Sequence, residues 1–245
     1  MKQSNKLTFS KGNAKLGKEI YTFSLPAGWT CPGAMQCLAK ADRATGKLRD
    51  GAKQEFRCFA ASAEAMYPSV RKSRWDNFEL LRGKTSQEMA QMILESLPGR
   101  ATMIRVHVSG DFFNDAYFKA WMKVANVRAE VTFYGYTKSI KTWAENWEMV
   151  PSNFKLTASF GGMHDELIKR YGLKYSQVVF SVEQAEKLGL AIDHDDSLAY
   201  GSSASFALLL HGTQAKGTLA AKSLSALKAQ GFKGYSSKKV RGEVK

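Results

Sequence analysis

Short runs of β-forming residues, set apart by stretches with helical periodicity, constrain this chain more than any other feature. The β-rich runs are Ile20–Ser24, Met103–Val108, Val131–Tyr136, Lys155–Ala158, Gln177–Val182 and Phe206–Leu210. Helical patterns fall between most of them. Thr85-Ser86-Gln87-Glu88 reads as a capping box, in which a hydroxyl and a carboxylate satisfy orphan backbone donors at a helix start. It opens a helix predicted over Gln87–Leu97, where Met89, Met92, Ile93 and Leu97 recur at helical spacing. Asn114 can cap a second helix carrying Ala116, Phe118, Trp121, Met122 and Ala125. Further helices are predicted at Ile140–Met149, Asp165–Tyr171, Glu183–Leu188 and Thr218–Ala229. Strands joined through helices favour parallel pairing, because a parallel connection needs a crossover of a dozen residues or more.

Several runs, Met103-Ile104-Arg105-Val106-His107-Val108 among them, alternate in polarity rather than staying apolar. An open doubly wound sheet buries both faces under helices, whereas a barrel can keep polar groups on its inner face. The expected fold is therefore α/β: a partial (β/α)6-like barrel with parallel strands, plus a helical, Cys-containing insert after strand one. The stretch between the first strand and the capping box is too long for a plain loop. We expect a single α/β domain over 1–235 with that insert at about 26–84, and a basic mobile tail over 236–245.

Composition excludes several classes. With 14 Phe, 9 Tyr and 5 Trp to bury, the chain is not disordered. Its longest clean apolar run, Phe206–Leu210, is far too short to span a bilayer. The start, Met1-Lys2-Gln3-Ser4-Asn5-Lys6, is polar with no apolar core of a secretory signal behind it. The formal net charge is +14 and sits at the two ends. Residues 1–100 carry 17 basic and 9 acidic side chains, and residues 215–245 carry 8 and 1, while the middle is nearly neutral. Two basic ends that meet in space would make one patch for a polyanion; solvated surface charge is the plainer account.

In parallel α/β proteins the working residues gather at the C-terminal ends of the strands. Those ends carry Ser109-Gly110-Asp111, Thr137-Lys138-Ser139, Ser159-Phe160-Gly161-Gly162, Ser181-Val182-Glu183 and His211-Gly212-Thr213. Just past the first strand come the cysteines, Cys31, Cys37 and Cys58, in a C-x5-C-x20-C spacing with none elsewhere. Cytosolic thiols stay reduced and an odd count leaves one over, so a disulfide framework is not expected. Thiolates suit zinc or an iron–sulfur cluster, and three of them leave one position open; the alternative is that they are small core residues. His107 on a strand reads as a core or lumen residue, and His164 as a ligand or a helix cap. Asp193-His194-Asp195-Asp196 reads as a solvated, helix-capping turn. No Walker A, GxGxxG, HExxH or Gly-x-Ser-x-Gly motif is present.

The segments LPAGWTCPGAMQCLAKADRATGKLRDG, FRCFAASAEAMYPSVRKSRWDNFELL, VHVSGDFFNDAYFKAWM, FYGYTKS, LTASFGGMHD, VVFSVEQAEKLGLAIDHDDSLA and FALLLHGTQ resemble, in order, the gene product 88 family of bacteriophage proteins. The resemblance runs from about Leu25 to Thr213. It implies a phage origin and expression in the cytoplasm of an infected bacterial host, with no membrane partner, and it carries no established activity. The architecture also resembles, more distantly, radical S-adenosylmethionine enzymes, which hold a [4Fe-4S] cluster by three cysteines on a partial barrel. That resemblance implies cluster ligation by Cys31, Cys37 and Cys58, with S-adenosylmethionine on the open iron. Ser109, Gly110 and Asp111 would replace the glycine-rich amino-group motif, and Lys138, Ser159 and Glu183 would line the pocket. The spacing departs from the compact C-x3-C-x2-C of that superfamily. The expectation is an iron–sulfur protein with redox or radical chemistry. The alternatives are a basic nucleic-acid-binding accessory protein and a zinc-stabilised protein acting on a host protein.

Overall fold

The computed structural model describes residues 6–12, 16 and 19–234; the basic tail expected at 236–245 lies outside them. After β1 (Ser10–Lys11) and β2 (Tyr21–Ser24) comes the insert, which holds a hairpin of β3 (Ala39–Ala41) and β4 (Leu48–Asp50). Its helices are α1 (Phe59–Met66) and α2 (Pro68–Leu81), followed by α3 (Ser86–Ser96). The alternating part then runs β5 (Met103–Ser109), α4 (Asp115–Val127), β6 (Thr132–Thr137), α5 (Ile140–Glu145), β7 (Phe154–Ser159) and α6 (Asp165–Arg170). It ends with β8 (Tyr175–Val179), α7 (Val182–Lys187), β9 (Ala191–Ile192), α8 (Ser197–Gly201), β10 (Phe206–Leu209) and α9 (Leu219–Ala229).

These elements make a mixed α/β fold around an eight-stranded sheet in the order β1-β2-β5-β6-β7-β8-β10-β9. Every pairing in it is parallel except β1 with β2. The six strands expected from sequence stand together in chain order, and the sheet does not close, because β1 and β9 are its free edges. It is nevertheless strongly curved. Tyr136 on β6 and Phe206 on β10 have ring centroids 6.1 Å apart although β7 and β8 lie between their strands. On a flat sheet three strand spacings would separate them by about 14 Å.

Alternation along the strands assigns the two faces. Ile104, Val106, Phe133, Leu156 and Ala158 point outward and join Met89 and Ile93 of α3 and Phe118, Trp121 and Met122 of α4 in the largest apolar core. Beneath α7 and α9, Val179, Ala207 and Leu209 pack with Ala185, Leu224 and Leu227. Each large side chain so buried contributes roughly 1.5–3 kcal/mol. The concave face carries Tyr134, Tyr136, Phe206 and Leu208, with Ala199 and Tyr200 of α8 packed on them. Both predicted caps form: Thr85 and Glu88 make the reciprocal capping box, and the Asn114 side chain accepts the Tyr117 N–H at 2.8 Å.

Two expectations need correction. The fifth predicted strand extends too far, because Ser181 accepts the Gln184 N–H at 3.2 Å and starts α7 there. Glu183 therefore lies in the first turn of a helix, exposed to solvent. The Asp193–Asp196 turn is not solvated throughout. Asp193 and Asp196 are buried, while His194 remains exposed. Asp196 takes a left-handed φ of 68° and meets Arg105 of β5 at 2.6 Å. Arg105 on the concave face is a buried charge, and burial of a charge requires a partner.

Candidate functional site

The chain leaving β2 turns at Leu25–Thr30 and brings Cys31 across the C-terminal ends of the central strands. Gly33 lies so close to the end of β6 that a Cβ there would stand 2.0 Å from the Lys138 carbonyl oxygen. The next contact is with the end of β7, where the Gln36 N–H donates to the Gly161 carbonyl at 3.0 Å. Cys37 follows, and the insert returns with Cys58 immediately ahead of α1. On the strand side, β5 carries a bulge. Its pairing with β2 jumps from Phe23–Val106 to Ser24–Ser109, and His107 adopts a φ of 68°. A left-handed histidine costs on the order of 1–3 kcal/mol and is held by its surroundings, here the rings of Phe112, Tyr117 and Trp121.

These movements enclose a cavity of about 160 Å³ lined by all three cysteines together with Ser109, Gly110, Asp111, Lys138 and Ser159. Eight of the nine residues singled out from sequence thus meet in one place. Glu183 is the exception and does not line it. The remaining wall comes from residues that sequence reasoning passed over, notably Arg105, Tyr136, Phe56 and Phe59, and from His107 and His211. His164, considered as a ligand, instead sits near the surface 3.5 Å from Glu166.

Burial dominates the electrostatics of the cavity. It raises the Cys31 thiol well above its usual range, with the Asp111 carboxylate adding to the effect and Cys58 and Cys37 following. Burial also pushes Cys37 up to about 11, against the pull of the Lys138 ammonium. Cys58 is raised by burial too, partly offset by the amides of Ala61 and Ala60 at the start of α1. In the metal-free chain the thiols are protonated; a bound cation reverses that balance, since a coordinating thiol loses its proton. Gly28 donates its N–H to the Cys31 sulfur at 3.3 Å.

Asp111 accepts from the Thr137 hydroxyl at 2.6 Å and from the amides of Lys138 and Phe112 at 2.7 Å each. Burial outweighs these donors and pushes its carboxyl up to about 6. Lys138 spends its three ammonium protons on the Ser159 carbonyl, the Ser159 hydroxyl and the Phe160 carbonyl, which straps the end of β6 to that of β7. It is a strut rather than a free base.

Behind the cysteines lies a second polar knot. Glu64 on α1 is fully buried, and its Oε1 accepts from the Ala27 N–H at 2.8 Å, Arg74 at 2.7 Å and the Ser109 hydroxyl at 3.1 Å. Its Oε2 has no hydrogen-bond partner. One side chain thereby joins the Cys31 loop, the β5 end and both insert helices. The sequence held a signal for it, since Glu64 is the one charged residue in the apolar stretch FAASAEAM.

Among the described residues no three His, Cys, Asp or Glu side chains stand close enough to hold one metal ion. None of the helices described is long and apolar enough to cross a membrane. The fold and the site together define a parallel α/β protein with a thiol-lined cavity at the strand ends. The chain belongs to the gene product 88 family, whose sequence profile matches residues 2–230. It is similar to the Gene 88 proteins of Mycobacterium phage D29 and Mycobacterium phage L5, at 28% identity over 138 residues in each case. The match covers 52% of this chain and 50% and 51% of those proteins, so it spans about half of their length. No solved structure matches the chain.

Proposed function

We propose that the protein is an iron–sulfur protein, with a [4Fe-4S] cluster held by Cys31, Cys37 and Cys58 on a partial (β/α)6-like barrel, acting as a redox or radical enzyme in the cytoplasm of an infected bacterium. The observation that carries this reading is the convergence of three thiols, spread over 28 residues of sequence, on a single strand-end cavity. The curvature of the open sheet supports the barrel description, as does the charged Arg105 buried on its concave face.

Three thiolates are soft ligands suited to an iron–sulfur cluster, and Cys31, Cys37 and Cys58 would be the residues that hold it. Bound here, such a cluster supplies one-electron redox chemistry, and three thiolates leave its fourth iron without a protein ligand.

The chain's own residues give the site its character. The apolar rings of Phe56 and Phe59 form part of the cavity wall beside the cysteines. The Gly28 N–H bond to Cys31 favours the more reduced, more negatively charged state by stabilising charge on sulfur. Gly110, whose Cβ would stand 2.6 Å from the Thr30 hydroxyl, lets the β5 end approach the thiols. Ser109, Gly110 and Asp111 line the same cavity, and Asp111 would suit the amino group of S-adenosylmethionine, which we include in this reading.

Iron and acid-labile sulfide analysis of protein reconstituted without oxygen tests it. The expected result is about four irons and four sulfides per chain, with an electron paramagnetic resonance signal that S-adenosylmethionine perturbs. Zinc without sulfide, or a folded protein that takes up no metal, overturns it.

A further inference from the structure

A second, larger concavity of about 900 Å³ adjoins the thiol cavity, and Phe59, Arg105, Val108, Leu208 and His211 belong to the walls of both. It opens on the concave side of the sheet between β5 and β10, which do not pair with each other. Its outer walls come from α1 and α9, and the basic C-terminal region contributes Lys228 and Lys233 to it.

The lining is chemically one-sided. Arg105, Lys228 and Lys233 contribute positive charge, and no Asp or Glu is among the residues that line the groove. Lys228 and Lys233 are exposed, and neither forms an ion pair among the described residues. Arg105 is spoken for by Asp196, yet its Nε is buried without a hydrogen-bond partner. At the rim, the large side chains of Met66 and Tyr67 are 59% and 53% exposed and border the groove. Deeper in, the His211 ring packs on Phe59 with centroids 4.7 Å apart.

We infer that this groove binds single-stranded nucleic acid, with phosphates on Lys228 and Lys233 and a base stacked on Tyr67, directed toward the thiol cavity. A positive groove interleaved with exposed aromatic faces is how proteins hold single strands without reading sequence. Carboxylate-free walls fit a polyanion and give an acidic-and-basic protein surface nothing to pair with. The single strand follows from the geometry. A duplex keeps its bases inside the stack, and only an unstacked base can enter a recess of this kind. As a substrate assignment the inference rests on the iron–sulfur reading; as a binding site it stands separately.

Fluorescence anisotropy of the full chain with a labelled oligothymidylate tests it, with and without reconstituted iron and sulfide. The wild-type chain binds at low salt and releases as salt rises. Lys228→Ala/Lys233→Ala weakens binding more than tenfold and flattens the slope of log K against log salt by about 1.4, because two phosphates are no longer neutralised. Tyr67→Ala weakens binding about tenfold with the slope unchanged. Lys141→Ala/Lys169→Ala, which removes the same charge from exposed positions on α5 and α6, leaves affinity within about twofold. No binding at low salt, or equal losses in the two double variants, overturns the inference. A chain that fails to take up iron and sulfide yet binds the oligonucleotide through the groove upholds it while removing the cluster reading. A chain that takes up iron and sulfide but no oligonucleotide does the reverse.

Discussion

Two buried polar clusters share the concave side of the sheet, and they are built on opposite principles. Around Asp196 the charges are matched internally. Arg105 pairs with the carboxylate at 2.6 Å, and the hydroxyls of Tyr134 and Tyr136 donate to it at 3.2 and 3.1 Å. The guanidinium also lies 5.0 Å from the Tyr136 ring centroid. Around the cysteines Asp111, Lys138 and Ser109 are held by bonds within the chain, yet other polar atoms are left over. Three thiols face one space, Glu64 keeps an unpartnered Oε2, and His107 keeps an unpartnered Nδ1. A matched ion pair holds a fold in one arrangement; a thiol-lined cavity leaves space beside the side chains that build it.

Folding energy separates the two. Arg105→Met leaves Asp196 charged, buried and uncompensated, and should cost about 3–5 kcal/mol in urea unfolding. Arg105→Met/Asp196→Asn should recover much of that loss, because the desolvated pair disappears as a unit and Asn tolerates the left-handed backbone at 196. If the single variant unfolds at the wild-type midpoint, the Asp196 cluster is not a closed structural unit.

A smaller effect is expected from pH in the metal-free chain, where two groups act in opposite directions. Burial lowers His107 to about 3, so below about pH 6.5 the unfolded chain takes a proton that the folded chain refuses, and stability falls. Asp111, raised to about 6, does the reverse. Below about pH 6 the folded chain takes the proton first, and stability rises until the unfolded carboxyl also protonates near its ordinary value of about 4. Across pH 4–6 the two nearly cancel. His107→Asn, which tolerates a left-handed backbone, should therefore leave a chain that gains stability on acidification. Asp111→Asn should leave one that loses it, each by up to about 1.4 kcal/mol per pH unit. Parallel pH profiles for both variants would sink this account.

The smallest folding effect, and the sharpest functional one, belongs to the thiols. Cys31→Ala, Cys37→Ala and Cys58→Ala should each shift the stability of the metal-free chain by about 1 kcal/mol or less while removing most of the bound iron. A variant that keeps its full iron and sulfide takes that cysteine out of the ligand set.

The sequence made the periodic elements legible because their signals are local. The Thr85 box, the Asn114 cap and five of the six strand ends fall within one or two residues of the structure. Strand-end logic brought eight site residues together even before the curvature was known. It misplaced Glu183 because Val178-Val179-Phe180 continues as a β-like run past the strand's end, and nothing in the run marks where Ser181 starts a helix. The Asp196 turn was read as solvated for a different reason. Its partner is Arg105, 91 residues away in sequence, and no local pattern can announce such a pairing. The short strands β1 and β9 and the bulge at His107 likewise depend on neighbours rather than on their own residues.

The insert also fastens the beginning of the chain to its end. The Arg57 N–H donates to the Gln214 side chain across 157 residues, and the Ser62 hydroxyl donates to the Thr213 carbonyl across 151. During synthesis, Cys31, Cys37 and Cys58 emerge long before Leu208, Leu210 and His211, which supply the far wall of their cavity. The finished cavity therefore exists only once nearly the whole protein has been made, and its walls are closed last by the strand that the chain makes last.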